Sequence, residues 1–254
     1  MTLEIASKLN RLLTGHTPGG LFFSGWLAKN DYSAQLTKSY RDSGWLDMLV
    51  PGVMYRHNEK LSAFAAVSSY NRQLGESARI AAHSALELQG FSHYVPMGKP
   101  NLMVTGAESG KLEWMNSDRF DMNMVHFKTT VFKSPMTVDV KVGELEVSVS
   151  SPELAFMECL YLVPKYYNYM DLYYIMEQLT ALDPERVQQT LENTSSQKIK
   201  RMFLYMASKA GHYWVEMLDL KKIGLTTSKL QLVKEGVYNS TYRITVPKEL
   251  ESYE

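Results

Sequence analysis

The sequence predicts an α+β protein in two parts, a mostly helical part over residues 1–95 and a mixed, helix-rich part over residues 96–254. Three observations support this division. Helical patterns that end in glycine fill the first part. Short segments of strand-like composition, separated by turn residues, follow from residue 96. Helical patterns then return after Ser151 and occupy most of the remaining chain.

The composition is that of a folded globular protein. Of the 254 residues, 45% are hydrophobic and 21% are charged, and the formal net charge is zero. Any affinity for DNA must therefore come from a local cluster of basic residues. The single cysteine, Cys159, excludes a disulfide framework and a multi-cysteine zinc site, and its apolar neighbours predict a buried structural thiol. Without a signal peptide or a membrane-length apolar run, we expect a cytoplasmic protein with no membrane partner.

Residues 21–57 carry the most informative pattern. GWLAKN predicts a short helix capped by Ser24, Asp31-Tyr32 predicts a tight turn, and AQLTKSYRDS predicts a second helix capped by Ser33. Strand-forming residues on both sides of Pro51-Gly52 then predict a hairpin. A helix, a turn, a second helix and a hairpin follow one another in a winged helix-turn-helix. The second helix of that unit enters the major groove of DNA.

The two faces of the second helix differ in chemistry. Leu36 and Tyr40 share one face, and we expect them to pack against Trp26, Leu27 and Leu46. The other face carries side chains that hydrogen-bond phosphates and base edges. We predict DNA contacts from Ser33, Gln35, Thr37, Lys38 and Arg41, and from Arg56 just after the hairpin. The alternative is an ordinary amphipathic helix with a solvated polar face.

The second part of the chain begins with strands and ends with helices. Strand composition is found in LMVTG, KLEWMN, NMVHFKTTVF, MTVDVKV and LEVSVS. The helical segments LAFMECLYLV, YMDLYYIMEQLTAL, DPERVQQTLENT and SQKIKRMFLYMASKAG follow, and LQLVKEG and YRITVP predict a closing hairpin. The last helical segment offers a possible second basic face, for contact with DNA or with a partner, or simply solvated: Lys198, Lys200, Arg201 and Lys209.

Several phrases, in order along most of the chain, resemble the AbiEi antitoxins of abortive-infection, type IV toxin–antitoxin systems. They include FFSGWLAKNDYSAQLTKSYRDSGWL, PGVMY, SALELQGFSHYVPMG, SSPELAFMECLYLVP, KIKRMFLYMASKAGHYWVEMLDL and YRITVP. The resemblance implies a winged-helix DNA-binding domain joined to an antitoxin domain. It also implies an autorepressor that binds inverted repeats in its own promoter and counteracts a nucleotidyltransferase-like toxin, with no stable complex required. The sequence shows no metal-ligand spacing of histidines and no GxSxG, P-loop or GxGxxG motif, so we expect no catalysis, no metal and no cofactor.

The hairpin departs from the pattern of the relatives. Where they tend to carry basic residues before the turn glycine, this chain has Asp47-Met48-Leu49-Val50-Pro51. An acidic and apolar segment adds little attraction to a phosphate backbone. Arg56 and His57, just past the hairpin, are candidates to supply the missing contact.

Two other functions compete with this interpretation. On a strand, Asp139 and Lys141 share a face, and with Asp118 or Asp121 they would suit a metal-dependent nuclease. The alternative for that face is a pair of solvated charges. The tyrosines and methionines of KYYNYMDLYYIM would suit a protein-interaction module instead.

Overall fold

The computed structural model describes residues 3–91, 98–106 and 112–253. The chain forms two compact units. The first comprises Met1–Ile80, Val95–Lys128 and Asp139–Ser148, and the second comprises Ala81–Tyr94, Thr129–Val138 and Val149–Glu254. Helices and sheets occur in both, so the α+β class predicted from the sequence is confirmed.

The helices of the first unit follow the sequence prediction closely. They are α1 (Leu3–Thr14), α2 (Ser24–Lys29), α3 (Ala34–Asp42) and α4 (Ala63–Leu74). Ser33 and Ser62 cap α3 and α4 through their side chains. The predicted Ser24 cap is wrong, because α2 begins at Ser24 itself, whose backbone N–H donates to the Gly52 carbonyl.

The N-terminal region also contains a small three-stranded sheet. Its strands are β1 (Phe22–Phe23), β2 (Leu46–Val50) and β3 (Val53–Arg56), in the order β1-β3-β2 with antiparallel pairing throughout. Gly52 has φ +86°, a conformation that glycine adopts without steric cost. The hairpin predicted around Pro51-Gly52 is confirmed.

The second sheet of this unit has five strands in the order β6-β5-β4-β8-β7. These strands are β4 (Arg79–Ile80), β5 (Asn101–Thr105), β6 (Asn123–His126), β7 (Thr137–Val142) and β8 (Leu145–Ser150). The first two residues of β7 and the last two of β8 belong to the second unit. β5 pairs antiparallel with β4 and parallel with β6.

The predicted strand KLEWMN is wrong. Glu113–Asn116 form a 3-10 helix, and Trp114 within it is fully buried. The Trp114 ring lies 5.6–6.2 Å from the ring centroids of Phe23, Tyr70 and Phe120. The packing of this large ring into an aromatic cluster stabilises the 3-10 helix. The local sequence pattern does not reveal these distant packing partners, so it predicts a strand instead.

The second unit is built around one fully buried helix. Its helices are α5 (Ala82–Leu88), α6 (Pro152–Tyr161), α7 (Tyr169–Gln178), α8 (Pro184–Asn193), α9 (Gln197–Lys209), α10 (Leu220–Ile223) and α11 (Lys248–Ser252), with a 3-10 helix at Tyr213–Met217. α6 packs against α5, α7, α8 and α9. Every residue from Glu153 to Leu160 is buried, including Cys159, so the buried thiol predicted from the sequence is confirmed.

A three-stranded sheet ends the chain. It contains β9 (Leu230–Gln231), β10 (Gly236–Asn239) and β11 (Ile244–Pro247), in the order β10-β11-β9. The closing hairpin is formed by β10 and β11, while β9 in LQLVKEG pairs parallel with β11. The predicted hairpin between LQLVKEG and YRITVP is therefore wrong, because the GVYN segment takes the antiparallel position.

Candidate nucleic-acid interface

The turn between α2 and α3 is held by local hydrogen bonds. Asp31 has φ 65°, a left-handed conformation that aspartate tolerates better than most residues. The Tyr32 N–H donates to the Leu27 carbonyl at 2.9 Å. The Ser33 Oγ accepts the Leu36 N–H at 3.2 Å, which satisfies one free donor of the first helical turn. The predicted turn at Asp31-Tyr32 and the Ser33 cap are confirmed.

The inner face of α3 is anchored in the core of the first unit. Tyr40 is fully buried, and it belongs to a hydrophobic cluster that includes Leu27 and Leu46. Leu36 and Trp26 are partly buried and pack against the same cluster. This is the packing that the helical wheel predicts, and it fixes which side of α3 faces outward.

The outer face of α3 is polar and exposed. Gln35, Lys38 and Ser39 are exposed, and Gln35 and Ser39 lie four residues apart on one face. Among the residues that the structure describes, none forms a side-chain hydrogen bond or an ion pair with these three. Ser39 is absent from the sequence-based prediction, although its spacing from Gln35 could have identified it.

Arg41 and Thr37 differ from the prediction to different degrees. Arg41 is half-buried, and its buried Nε has no hydrogen-bond partner within the described part of the chain. Thr37 is only 7% exposed, and its hydroxyl donates to the Ala34 carbonyl at 3.0 Å. The prediction of an outward-facing Thr37 is wrong, because this position lies on the boundary of the buried stripe and its hydroxyl is used within the helix.

The hairpin after α3 carries one acid, and that acid has a partner. Asp47 on β2 lies opposite Tyr55 on β3, and both of its carboxylate oxygens are 3.1 Å from the His57 Nδ1. His57 is therefore engaged with Asp47, whereas Arg56 at the end of β3 is exposed. Trp45 and Met48 are also exposed, at 44% and 45%. The hairpin thus presents Arg56 beside an apolar surface.

α9 does not present the second basic face that the sequence predicts. Lys200 and Arg201 are buried, at 6% and 1% exposure, and Lys198 and Lys209 are half-buried. The ammonium groups of Lys198, Lys200 and Lys209 donate to the backbone carbonyls of Val163, Ile223 and Tyr253, respectively. Burial lowers the pKa of both Lys198 and Lys200.

Arg201 makes the largest set of such bonds. Its guanidinium donates to the carbonyl oxygens of Ser228, Arg243 and Thr226 at 2.7–2.9 Å, and to the Thr226 hydroxyl at 2.6 Å. A guanidinium with several donors can satisfy several buried carbonyls at once. The basic residues of α9 therefore bind backbone carbonyls of the segments packed around the helix, and the prediction that they offer a surface for DNA or a partner is wrong.

The geometry of the candidate nuclease motif is only partly as predicted. Asp139 and Lys141 are both exposed and share one face of β7. The Asp121 carboxylate accepts the Ala63 N–H at 2.8 Å at the start of α4, while Asp118 is exposed. Within residues 3–91, 98–106 and 112–253, no three His, Cys, Asp or Glu side chains are placed to hold a metal ion.

The aromatic segment at residues 165–176 is only partly exposed. Tyr169, Tyr173 and Met176 are buried in the core of the second unit, while Tyr166 and Tyr174 are 39% and 44% exposed. Burial raises the pKa of Tyr169 to about 12. Most of the aromatic segment thus serves the core, and a smaller exposed part is left for a partner.

Comparison with known proteins places the chain in a family. A family model described as transcriptional regulator, AbiEi antitoxin, type IV TA system matches residues 99–247. A second model, described as the AbiEi antitoxin N-terminal domain, matches residues 5–97. The chain belongs to the AbiEi antitoxin family. The resemblance seen in the sequence is therefore confirmed, and the AbiEi family is one of transcriptional regulators.

A solved structure shows the same fold as this AbiEi protein. The RV2827C protein from Mycobacterium tuberculosis aligns with 96% of this chain and 92% of its own, with a TM-score of 0.60 and 14% sequence identity. No curated protein matches. Within the described residues, no helix has both the length and the apolar character needed to cross a membrane.

Proposed function

We propose that this AbiEi protein is a DNA-binding antitoxin that represses its own toxin–antitoxin operon. DNA binding belongs to residues 1–95, where α2, α3 and the β2–β3 hairpin act as a winged helix-turn-helix, and the antitoxin domain comprises residues 96–254. The observation that carries the proposal is the outer face of α3. It is exposed, polar and free of partners within the described chain, while the inner face is anchored in the core.

The contacts divide according to the chemistry of the side chains. Gln35 can make two hydrogen bonds to an adenine edge, and Lys38 can contact guanine or phosphate. Arg41 and Arg56 supply positive charge and bind phosphates. The Ser33 hydroxyl caps α3, so its contribution to DNA binding is to place the helix start beside the backbone.

The hairpin contributes through shape more than through charge. Both carboxylate oxygens of Asp47 lie 3.1 Å from the His57 Nδ1, so the acid is engaged within the hairpin. Exposed Trp45 and Met48 offer apolar contact with sugars or base edges. Binding to inverted repeats in the promoter requires two copies of the chain, one for each half-site.

The antitoxin part of the proposal rests on family membership. The protein counteracts a nucleotidyltransferase-like toxin in the cytoplasm, without catalysis and without a required stable complex. The candidate nuclease motif receives little support, since Asp121 is used as a backbone acceptor at the start of α4. The alternative of an interaction module receives limited support, since Tyr169, Tyr173 and Met176 of its aromatic segment are buried in the core.

A titration of the full-length protein against its own upstream promoter tests DNA binding. The experiment uses two salt concentrations and a scrambled duplex of equal length as the control. We expect a specific complex whose affinity falls steeply as salt rises, because counterions are released from the contacted phosphates. Equal affinity for the promoter and the scrambled duplex, or no complex at micromolar protein, would contradict the proposal.

Co-expression with the neighbouring toxin gene tests the antitoxin role separately. We expect growth to be restored by the full chain. Growth arrest despite soluble expression of the protein would show that the antitoxin assignment is wrong, whatever the outcome with DNA.

A further inference from the structure

A basic groove lies in the first unit between the ends of α1, α2 and α4. Its principal lining residues are Arg11, His16, Trp26, Lys29, Tyr32 and Arg72, and its volume is about 590 Å³. We call it the α1–α2 groove. Pockets of this volume are in the range that binds small molecules. None of the predicted DNA contacts lines it.

The α1–α2 groove carries more positive than negative charge. Arg11, Lys29 and Arg72 line it, and Asp31 is the one carboxylate among its described lining residues. Arg11 donates from Nε to the Tyr32 hydroxyl at 3.5 Å, and Arg72 donates to the Thr17 hydroxyl at 2.9 Å. In the part of the chain that the structure describes, none of the three cations pairs with a carboxylate. Each guanidinium therefore keeps free N–H donors.

The interior of the groove is aromatic. Trp26 is half-buried and lines the groove, so part of its indole ring is accessible. His16 stacks on Phe22 with ring centroids 4.4 Å apart, and its Nε2 lies 2.6 Å from a Glu59 carboxylate oxygen. The Arg11 guanidinium lies over the Tyr32 ring, 5.9 Å from its centroid. The rings of His16, Phe22 and Tyr32 are buried, so the half-buried Trp26 supplies the aromatic surface that can stack on a planar ring.

We propose that the α1–α2 groove binds a nucleoside polyphosphate, with Trp26 against the base and Arg11, Lys29 and Arg72 on the phosphates. Three cations without carboxylate partners match the charge of a polyphosphate, and the indole matches a planar base. A duplex backbone requires cations spread along an extended surface, whereas these line one groove of small-molecule size. The proposal does not depend on the function proposed for α3.

Tryptophan fluorescence provides a direct assay on the full-length protein. Trp114 and Trp214 are fully buried, and Trp45 lies on the hairpin, so a Trp45→Phe background leaves Trp26 as the accessible reporter. The probes are ATP, adenosine and inorganic triphosphate. We expect ATP to change the emission at micromolar concentration and to bind at least tenfold more tightly than either fragment. Calorimetry on the parent protein gives the same comparison without the substitution.

Substitutions of residues that line the α1–α2 groove test where ATP binds. We expect Arg72→Ala and Lys29→Ala each to weaken ATP binding about tenfold, as the loss of a charge-assisted contact should. Lys141→Ala removes an exposed lysine of β7 in the same unit and is the matched control, with unchanged affinity expected.

Three results would overturn the proposal. The first is no binding of ATP at millimolar concentration by either method. The second is equal weakening by Arg72→Ala and Lys141→Ala, and the third is equal affinity for ATP and inorganic triphosphate. If ATP does not bind and Arg72→Ala instead weakens promoter binding, the groove is a further DNA contact. Because the assay contains no DNA, failure of the α3 proposal cannot be confused with failure of this one.

Discussion

Replacement of Arg201 by alanine should destabilise the second unit strongly. The guanidinium is 1% exposed and donates four hydrogen bonds, three of them to backbone carbonyls. Hydrogen bonds that involve a charged group contribute about 1.5–3 kcal/mol each. Part of this is offset because the buried charge no longer has to be desolvated. The expected net loss is about 3–5 kcal/mol, comparable to the loss of one partner of a buried charged pair.

Urea denaturation of the full-length protein, followed by far-ultraviolet circular dichroism, measures this loss. Lys222→Ala is the matched control, since the Lys222 side chain is 70% exposed and pairs with Asp219 on the surface. We expect the control to lie within about 0.5 kcal/mol of the parent protein. The Arg201→Ala variant should unfold at much lower urea, or fail to accumulate as folded protein.

The opposite pattern would refute this account of α9. If Arg201→Ala had the stability of the parent protein and bound promoter DNA more weakly, Arg201 would be a surface contact. The basic face predicted from the sequence would then be correct, and the carbonyl contacts described above would be wrong.

Three further substitutions test local features of the fold. Ser33→Ala removes the side-chain cap of α3 and should lower the free energy of unfolding by about 1 kcal/mol, as measured by urea titration. His16→Gln should flatten the loss of stability below pH 6.5. Burial lowers the pKa of His16, with Glu59 opposing this, so the unfolded chain binds the proton more readily and stability falls as pH decreases. An unchanged slope of stability between pH 7 and 5 would contradict this. Gly236→Ala would place a Cβ 2.2 Å from the Val246 carbonyl oxygen, so we expect a loss of about 1–3 kcal/mol, and a melting temperature equal to the parent's would refute the clash.

The sequence predicts features that local chemistry determines. Ser33 caps α3 because a serine before a helix can accept a first-turn N–H, and this needs no tertiary information. Leu36 and Tyr40 face the core because their spacing places them on one stripe. For the same reason, the outward position of Gln35 and Lys38 follows from the sequence.

The features that the sequence does not predict depend on distant partners. The sequence predicts that Lys200 and Arg201 are surface cations. The carbonyls that accept their hydrogen bonds lie more than twenty residues further along the chain. α9 is buried from Ile199 to Ala207, which its charges do not suggest. Trp114 is another case, because aromatic partners from several elements convert a strand-like segment into a 3-10 helix. The prediction for Thr37 is wrong for a smaller reason. A helical wheel does not show whether a residue at the edge of the buried stripe is buried or exposed.

The central claim is that the outer face of α3 binds the operator, and Lys38→Ala tests it most directly. Lys38 is exposed and has no side-chain partner within the described residues, so its loss should leave the fold intact. The measurement is the promoter affinity of Lys38→Ala, Lys141→Ala and the parent protein over a series of salt concentrations. If Lys38 contacts phosphate, we expect weaker binding on all sequences and a salt slope reduced by about one, whereas a base contact would relax specificity at one position. Identical affinity, specificity and slope for all three proteins would contradict the claim.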